Sequence, residues 1–194
     1  MAGYDIAIIG GGIAGASLAY FLAPHRSVLL IEREEAHGYH STGRSAAEFT
    51  LRDNAPAVNA LARASHCFMS APPEDFAAGP LLTLRGAVII GAPEKNDRVE
   101  AAYRRADRTG ASVLRLTTDQ ALAHVPYLDP AYLGAAYFDP DYWDIDVDQL
   151  LQGYLRGARR EGAGVRPGAG GVDDDRGRDR AGGRLYRPLP SVLT

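Results

Sequence analysis

Three glycines near the amino terminus, Gly10, Gly12 and Gly15, have the spacing Gly-x-Gly-x-x-Gly. Glycines at this spacing let a chain turn sharply, bring its backbone close to a pyrophosphate and pack the following helix against a sheet. The start of that helix offers unpaired N–H groups to phosphate oxygens. Glu32 follows about 20 residues later, where a carboxylate can accept the hydroxyls of a ribose and repel a 2′-phosphate. These four residues predict a site for an adenine dinucleotide without a 2′-phosphate.

This chemistry requires a strand before the glycines, and a helix and a second strand after them. Residues 4–9 are β-rich and predict the first strand, residues 13–23 predict a helix that Pro24 ends, and residues 28–31 predict the second strand. No signal peptide or transmembrane segment is predicted, because no basic region precedes the apolar run and glycines interrupt it. The start of the chain is therefore expected to form a compact βαβ unit.

A polar segment at residues 40–49, rich in small hydroxyl side chains, favours FAD over NAD as the dinucleotide. Its hydroxyl groups can cap a second helix beginning near residues 44–47. A second helix start aimed at the same pyrophosphate, with Arg44 nearby, suits a long, extended cofactor. The alternative is a connecting loop with an ordinary N-cap.

The run GGGIAGASLAYFLAPHRSVLLIERE followed by GYHSTGRSAA resembles the FAD-dependent amine and D-amino acid oxidoreductases, and most of all members of the D-arginine dehydrogenase type. The run DIDVDQLLQGYLRGARR at residues 144–160 is also similar, and the resemblance is expected to end near residue 163. It implies oxidation of a C–N bond by hydride transfer to a flavin, without a dedicated side-chain base. The residues that the resemblance implies as FAD contacts are Gly10, Gly12, Ala14, Gly15, Glu32, Arg33, His40, Ser41, Thr42, Gly43, Arg44, Ser45, Ala46 and Ala47.

The implied fold class is α/β, with a Rossmann-like FAD-binding core, the start of an inserted α+β substrate domain and a missing carboxy-terminal half. Residues 1–80 are expected to form the FAD-binding βαβ core and the helices that follow. Residues 81–146 are expected to begin the substrate domain, and residues 147–163 to form a helix that returns to the FAD domain. Residues 164–194 are expected to be a disordered or aberrant tail, because glycine, arginine and aspartate dominate there. A frameshift near residues 164–170 is one hypothesis for this change.

Three positions depart from the D-arginine dehydrogenase pattern, which has His at Glu48, Tyr at Asp53 and Glu at Ala87. Without an acidic group at Ala87, an obvious partner for a substrate guanidinium is lost. Glu48 and Asp53 instead place two carboxylates in the neighbourhood, which could suit a cationic amine or could be surface charges. D-Arginine itself is therefore not expected as the substrate.

Composition limits the remaining function classes. The net charge of −3 gives no basic surface for nucleic acid, and a single cysteine, Cys67, excludes an internal disulfide and favours a cytoplasmic location. The aspartates between 139 and 148 lack the glycine and terminal glutamate of an EF-hand, so no metal is expected. Asp146 or Asp148 is expected to cap a helix at residues 147–160.

The middle of the chain predicts helices at residues 57–69 and 98–108, one or two strands within 81–90, a strand at 113–116, and a capping box between Thr117 and Gln120. The partner expected from the resemblance is a small amino acid or amine, with an unidentified electron acceptor. The chain alone is expected to give no turnover. An NAD-dependent oxidoreductase and a non-catalytic dinucleotide-binding remnant stay as alternatives.

Overall fold

The computed structural model describes residues 3–52, 55–108 and 112–169. Its strands are β1 (Ile6–Ile9), β2 (Val28–Ile31), β3 (Glu48–Thr50), β4 (Leu82–Leu84), β5 (Ala87–Ile90), β6 (Leu114–Leu116), β7 (Ala136–Asp139), β8 (Tyr142–Ile145) and β9 (Gly164–Arg166). Its α-helices are α1 (Ile13–Leu22), α2 (Pro56–Ser70), α3 (Asn96–Arg108), α4 (Thr118–His124) and α5 (Val147–Arg160). No helix within these described ranges is both long and apolar enough to cross a membrane.

The chain divides into two compact units. The first unit consists of Met1–Ala46, Pro72–Leu81 and Asp146–Thr194, and the second of Ala47–Ala71 and Leu82–Ile145. Residues 47–71, expected with the FAD-binding core, group with the second unit, where β3 pairs with β8. The α/β class expected from the sequence is confirmed.

The first unit contains a parallel sheet with the strand order β1-β2-β9. Ile6 lies opposite Val28, and Leu29 lies opposite Gly164. All four residues of β2 are buried, which agrees with the unbroken apolar sequence of a central parallel strand. Helix α1 connects β1 to β2 and packs against α5, so the predicted βαβ unit is confirmed.

Helix α5 begins at a capped end and buries one apolar face. Asp146 accepts a hydrogen bond from the Gln149 N–H at 2.9 Å, which confirms one of the two expected caps. Leu151 and Leu155 are buried, and the ring of Tyr154 lies 5.4 Å from that of Tyr20 on α1. Aromatic pairs at this distance add to the stabilisation from burial.

Strand β9 corrects the expectation of a disordered or aberrant tail from residue 164. Val165 lies opposite Leu30, and the Glu32 N–H donates to the Arg166 carbonyl at 2.8 Å. Strand pairing uses backbone groups, so the short sequence Gly-Val-Arg can pair with the second edge of β2. Residues 170–194, which carry most of the predicted tail, lie outside the described residues.

The second unit contains two antiparallel sheets, with strand orders β3-β8-β4 and β5-β7-β6. The helices predicted at residues 57–69 and 98–108 are confirmed as α2 and α3, and the strands predicted within 81–90 as β4 and β5. The capping box at the start of α4 is also confirmed: the Gln120 N–H donates to the Thr117 side chain, and the Thr117 N–H donates to that of Gln120.

The helix predicted to begin near residues 44–47 is absent. Thr42–Arg44 forms a single 3₁₀ turn, and Ala47 has a φ of 57°, in the left-handed region that cannot continue an α-helix. The Ile145 N–H donates to the Ala47 carbonyl at 2.7 Å, and β3 starts at the next residue. Pairing with a strand almost one hundred residues later therefore overrides the local helix signal.

Candidate dinucleotide site

The glycine-rich turn has the close backbone approaches that its sequence predicts. Gly10 has a φ of +104°, and its N–H donates to the Ile31 carbonyl at 2.8 Å, which ties the turn to the end of β2. A Cβ at Gly15 would overlap the Gly10 carbonyl oxygen, so α1 can pack this close only because residue 15 is glycine. A Cβ at Gly12 would lie 3.0 Å from the Thr42 Oγ1 and would narrow the space above the turn.

The amino terminus of α1 presents unpaired donors. Gly12 occupies the N-cap position without a side-chain cap. The N–H groups of Gly12, Ala14 and Gly15 have no hydrogen-bond partner within the described part of the chain. The Ile13 N–H donates to the Thr42 Oγ1 at 3.0 Å. Three open N–H groups at a helix start, together with the helix dipole, suit the binding of an anion such as a pyrophosphate.

Glu32 is buried at the end of β2, with 8% of the residue exposed. Its Oε2 accepts from the Gly11 N–H at 2.7 Å and its Oε1 from the Glu34 N–H at 3.0 Å. Burial raises the pKa of this carboxyl. Hydrogen bonds from backbone N–H groups, chiefly those of Glu34 and Gly11, lower the pKa by more than burial raises it, so the pKa lies below its usual 4.5. The carboxylate is therefore held ionised, and each oxygen keeps a lone pair that can accept a ribose hydroxyl.

His37 is a residue of this site that the sequence analysis did not identify. A Cβ at Gly11 would overlap the His37 imidazole, so the ring packs directly on the turn. Both ring nitrogens are buried without a hydrogen-bond partner among the described residues. Burial lowers the pKa of His37, as does the charge of Arg159, while the Glu32 carboxylate raises it by less. No spacing rule predicts this contact, because it depends on how residues 33–42 fold back.

The segment after β2 folds back onto the turn. The Gly38 N–H donates to the Gly11 carbonyl at 3.2 Å, and the Gly43 N–H donates to the Gly38 carbonyl at 2.7 Å. This places Thr42 beside Gly12, so part of the predicted 40–47 segment does lie at the glycine-rich turn.

Other predicted contacts lie on the exposed side of this segment. Arg33 and His40 both pair with Glu34 at 2.8 Å, and the Arg44 guanidinium lies 5.3 Å from the centre of the Tyr39 ring. The other predicted FAD contacts in the segment are exposed or form the 3₁₀ turn; they are Ser41, Gly43, Ser45 and Ala46. Their contact with a cofactor stays a prediction.

The predicted substrate carboxylates belong to the second unit. Glu48 is paired with Arg85 at 3.0 Å, and Arg85 also pairs with Asp144 at 3.0 Å. All three side chains are about half exposed. Asp53 lies outside the described residues, and Ala87 lies opposite Asp139 in the β5–β7 pair.

Two of the aspartates between residues 139 and 148 form ion pairs with an arginine. Arg52 donates through Nε to Asp139 at 2.8 Å, through Nη2 to the other oxygen of Asp139, and to Asp141 at 2.7 Å. The Asp139 hydrogen bond, above all, raises the pKa of Arg52. Asp139 is 2% exposed, so this pair compensates a carboxylate that water cannot reach.

Comparison with known proteins identifies the family. Residues 5–185 match the DAO family of FAD dependent oxidoreductases, and the chain therefore belongs to this family. The match runs past residue 163, so the expectation that the resemblance ends there is wrong. FAD is the cofactor of the family, which confirms the prediction of FAD over NAD.

Solved structures share the fold. Glycine oxidase from Geobacillus kaustophilus matches with a TM-score of 0.72 and 25% identity, over 84% of this chain and 46% of that chain. L-alpha-Glycerophosphate oxidase from Mycoplasma pneumoniae, solved with FAD bound, matches with a TM-score of 0.71 and 18% identity, over 87% of this chain and 45% of that chain. L-proline dehydrogenase from P. horikoshii matches with a TM-score of 0.68 and 22% identity, over 84% and 44%. The last two similarities concern the fold alone, and the chain spans about half the length of each neighbour.

Proposed function

We propose that this chain binds the adenosine diphosphate half of FAD at the turn between β1 and α1, as part of an enzyme that oxidises the C–N bond of a small amino acid or amine. The observation that carries the proposal is the set of open N–H groups at Gly12, Ala14 and Gly15, beside the ionised carboxylate of Glu32. FAD, when bound, would supply the hydride acceptor.

Different residues would bind different parts of the cofactor. The open N–H groups of α1 would bind the pyrophosphate, with Gly12 leaving room for its approach. Glu32 would accept the ribose hydroxyls through lone pairs that its two backbone donors leave available. The segment 40–47 would extend the site from Thr42 towards Ala47. Arg33, His40 and Arg44 are also expected to contact FAD. To do so, Arg33 and His40 would have to leave Glu34, and Arg44 would have to leave the Tyr39 ring.

For the substrate, we propose a small amino acid or amine that carries a positive charge, on the sequence resemblance to the D-arginine dehydrogenase type. Ala87 supplies no carboxylate for a guanidinium, so we do not propose D-arginine itself. Glu48 shares Arg85 with Asp144, which makes it a weaker partner for a substrate cation than an unpaired carboxylate would be. Asp53 stays a proposed substrate residue. The electron acceptor is unidentified, and we propose a cytoplasmic location on the single cysteine alone.

The test uses the intact chain and three ligands. FAD, ADP and FMN are titrated separately, with flavin fluorescence for FAD and FMN and calorimetry for ADP. Because the proposed contacts are all to the adenosine diphosphate half, FAD should bind, ADP should compete with it, and FMN should bind far more weakly. Equal affinity for FMN and FAD, or a failure of ADP to compete, would refute the proposed site.

A matched pair of variants locates the binding. Glu32→Gln should weaken FAD binding by about tenfold or more, because a buried carboxamide accepts fewer hydrogen bonds than a carboxylate. Glu35→Gln removes the same charge at an exposed position three residues away and should leave FAD affinity unchanged. Equal effects of the two substitutions would show that overall charge, rather than Glu32, governs binding.

The absence of turnover by this chain alone stays a prediction. Purified chain loaded with FAD is mixed with D- and L-amino acids and amines in the presence of an artificial electron acceptor. We expect FAD binding without bleaching of the flavin absorption. Substrate-dependent bleaching would show that the chain is catalytically competent, and lack of FAD binding would contradict the proposed cofactor site.

A further inference from the structure

The second unit contains a cavity of about 600 Å³ that the proposed cofactor site does not use. It lies between residues of α2 and α3 and residues of the strands β5, β7 and β8. A volume of this size is typical of sites that hold a small organic molecule. Every residue that lines it belongs to the second unit, so the cavity is independent of the turn between β1 and α1.

Four arginines line this cavity; they are Arg52, Arg63, Arg105 and Arg108. Arg105 and Arg108 are three residues apart on α3, a spacing that places two side chains on one helix face. Arg63 approaches from α2. No aspartate or glutamate is among the described residues that line the cavity.

The pairing of these arginines is unequal. Arg52 is neutralised by Asp139 and Asp141. Neither Arg63 nor Arg108 forms an ion pair within the described ranges of the chain. Both are exposed residues that line the cavity, and their positive charges favour the binding of an anion there. Arginine also binds carboxylate, sulfonate and phosphate groups through two parallel hydrogen bonds.

The remaining walls provide apolar area and neutral donors. Leu51, Ile89 and Ala106 contribute hydrocarbon surface. Tyr137 and Tyr142 contribute phenol groups, and burial raises the pKa of both, so the phenols keep their protons at neutral pH and add no negative charge. The cavity therefore combines an apolar wall with a cationic rim, the arrangement that fits an amphipathic anion.

We propose that this cavity binds a small organic anion, with its acidic group between Arg63 and Arg108 and its apolar body against Leu51 and Ile89. The proposal does not depend on FAD binding, since it uses no residue of the first unit. The ligand class is a carboxylate, sulfonate or phosphate ester that carries an aromatic or aliphatic body.

Anilinonaphthalene sulfonate provides a probe of this class, and phenylnaphthylamine provides the same rings without the sulfonate. Both are titrated by fluorescence into the intact chain and into the double variant Arg63→Ala/Arg108→Ala. The sulfonate probe should lose about tenfold in affinity in the double variant, as expected for the loss of charge-assisted hydrogen bonds. The uncharged probe should bind both proteins with similar affinity, because its contacts are apolar.

Two control proteins test whether a loss of affinity arises from the cavity itself, from a change in overall charge or from misfolding. Arg98→Ala/Arg104→Ala removes two exposed arginines of α3 that do not line the cavity, and should change affinity by less than about twofold because solvent screens remote charges. Arg63→Lys/Arg108→Lys keeps both charges but loses the paired hydrogen bonds, so its affinity should lie between that of the intact chain and that of Arg63→Ala/Arg108→Ala. If both alanine variants weaken the sulfonate probe equally, or if neither does while circular dichroism shows native folding, the proposal is overturned.

Discussion

The carboxylate of Glu32 and the backbone N–H of Gly11 form a buried hydrogen bond of 2.7 Å across 21 residues of sequence. The same carboxylate accepts from the Glu34 N–H at 3.0 Å. Glu32 therefore connects the end of β2 to the turn that follows β1. A residue predicted only as a ligand contact also stabilises the turn that would hold the ligand.

Glu32→Gln should lower the free energy of unfolding by about 1–3 kcal/mol, because one buried N–H loses its acceptor and faces an amide NH₂. Urea denaturation of the intact chain measures this change. Glu35→Gln serves as the control, since it removes the same charge at an exposed position. Equal midpoints for the two variants would contradict a structural role for Glu32.

Gly15→Ala should destabilise the chain by about 1–3 kcal/mol, because the new methyl group overlaps the Gly10 carbonyl and must push α1 away from the turn. Gly79→Ala is the matched control, since a Cβ there would meet its nearest atom, in Gln149, at 3.6 Å, an ordinary contact. Thermal denaturation by circular dichroism compares the two. A lower midpoint for Gly79→Ala than for Gly15→Ala would show that the close approach of residue 15 to the Gly10 carbonyl does not determine stability.

Protonation of His37 should destabilise the first unit. Burial lowers the pKa of His37 below its usual 6.5, so the unfolded chain binds a proton more readily than the folded chain. The contribution of His37 to stability is therefore complete above pH 6.5 and is lost as the pH falls through the folded-state pKa. His37→Gln should flatten the dependence of the urea midpoint on pH in this window.

The control for this dependence is His25→Gln, at an exposed position in the same unit. Arg159 opposes and Glu32 favours the charged form of His37, so both groups are kept in each protein. If His25→Gln flattens the pH dependence of the urea midpoint as much as His37→Gln does, that dependence does not arise from the His37 imidazole.

Arg52→Ala should be strongly destabilising, by about 3–5 kcal/mol, because it leaves the buried carboxylate of Asp139 without a compensating charge. Arg85→Ala removes ion pairs with Glu48 and Asp144 that are about half exposed, and should cost only about 0–1 kcal/mol. Guanidinium chloride denaturation compares the pair. A similar loss in both variants would show that burial does not set the strength of these interactions.

Local signals allowed the first βαβ unit and several helix ends to be predicted. Gly10, Gly12 and Gly15 act within one turn, and the caps at Thr117 and Asp146 bond to residues three positions away. Such features depend on nearby residues only, so sequence patterns suffice for them.

Non-local pairing explains the expectations that were wrong. The pairing of β3 with β8 overrides the helix signal near residues 44–47. The glycine-rich sequence after residue 163 gives no local strand signal, although β9 pairs with β2 there. The contact of His37 with Gly11 likewise depends on the fold of a whole connecting segment. In each case the deciding partner is distant in sequence, and the residue type alone carries no sign of it.

The position of β9 has a consequence for the order in which the chain assembles during synthesis. Leu29 and Gly164 are partners, so β2 is made about 130 residues before the strand that covers its second edge. At translation rates of about 5–20 residues per second, this interval is on the order of ten seconds. During that time β1, α1 and β2 leave the ribosome with an open apolar strand edge, which is a template for unwanted pairing with other chains. We therefore expect this edge to need protection from such pairing until β9 has been made.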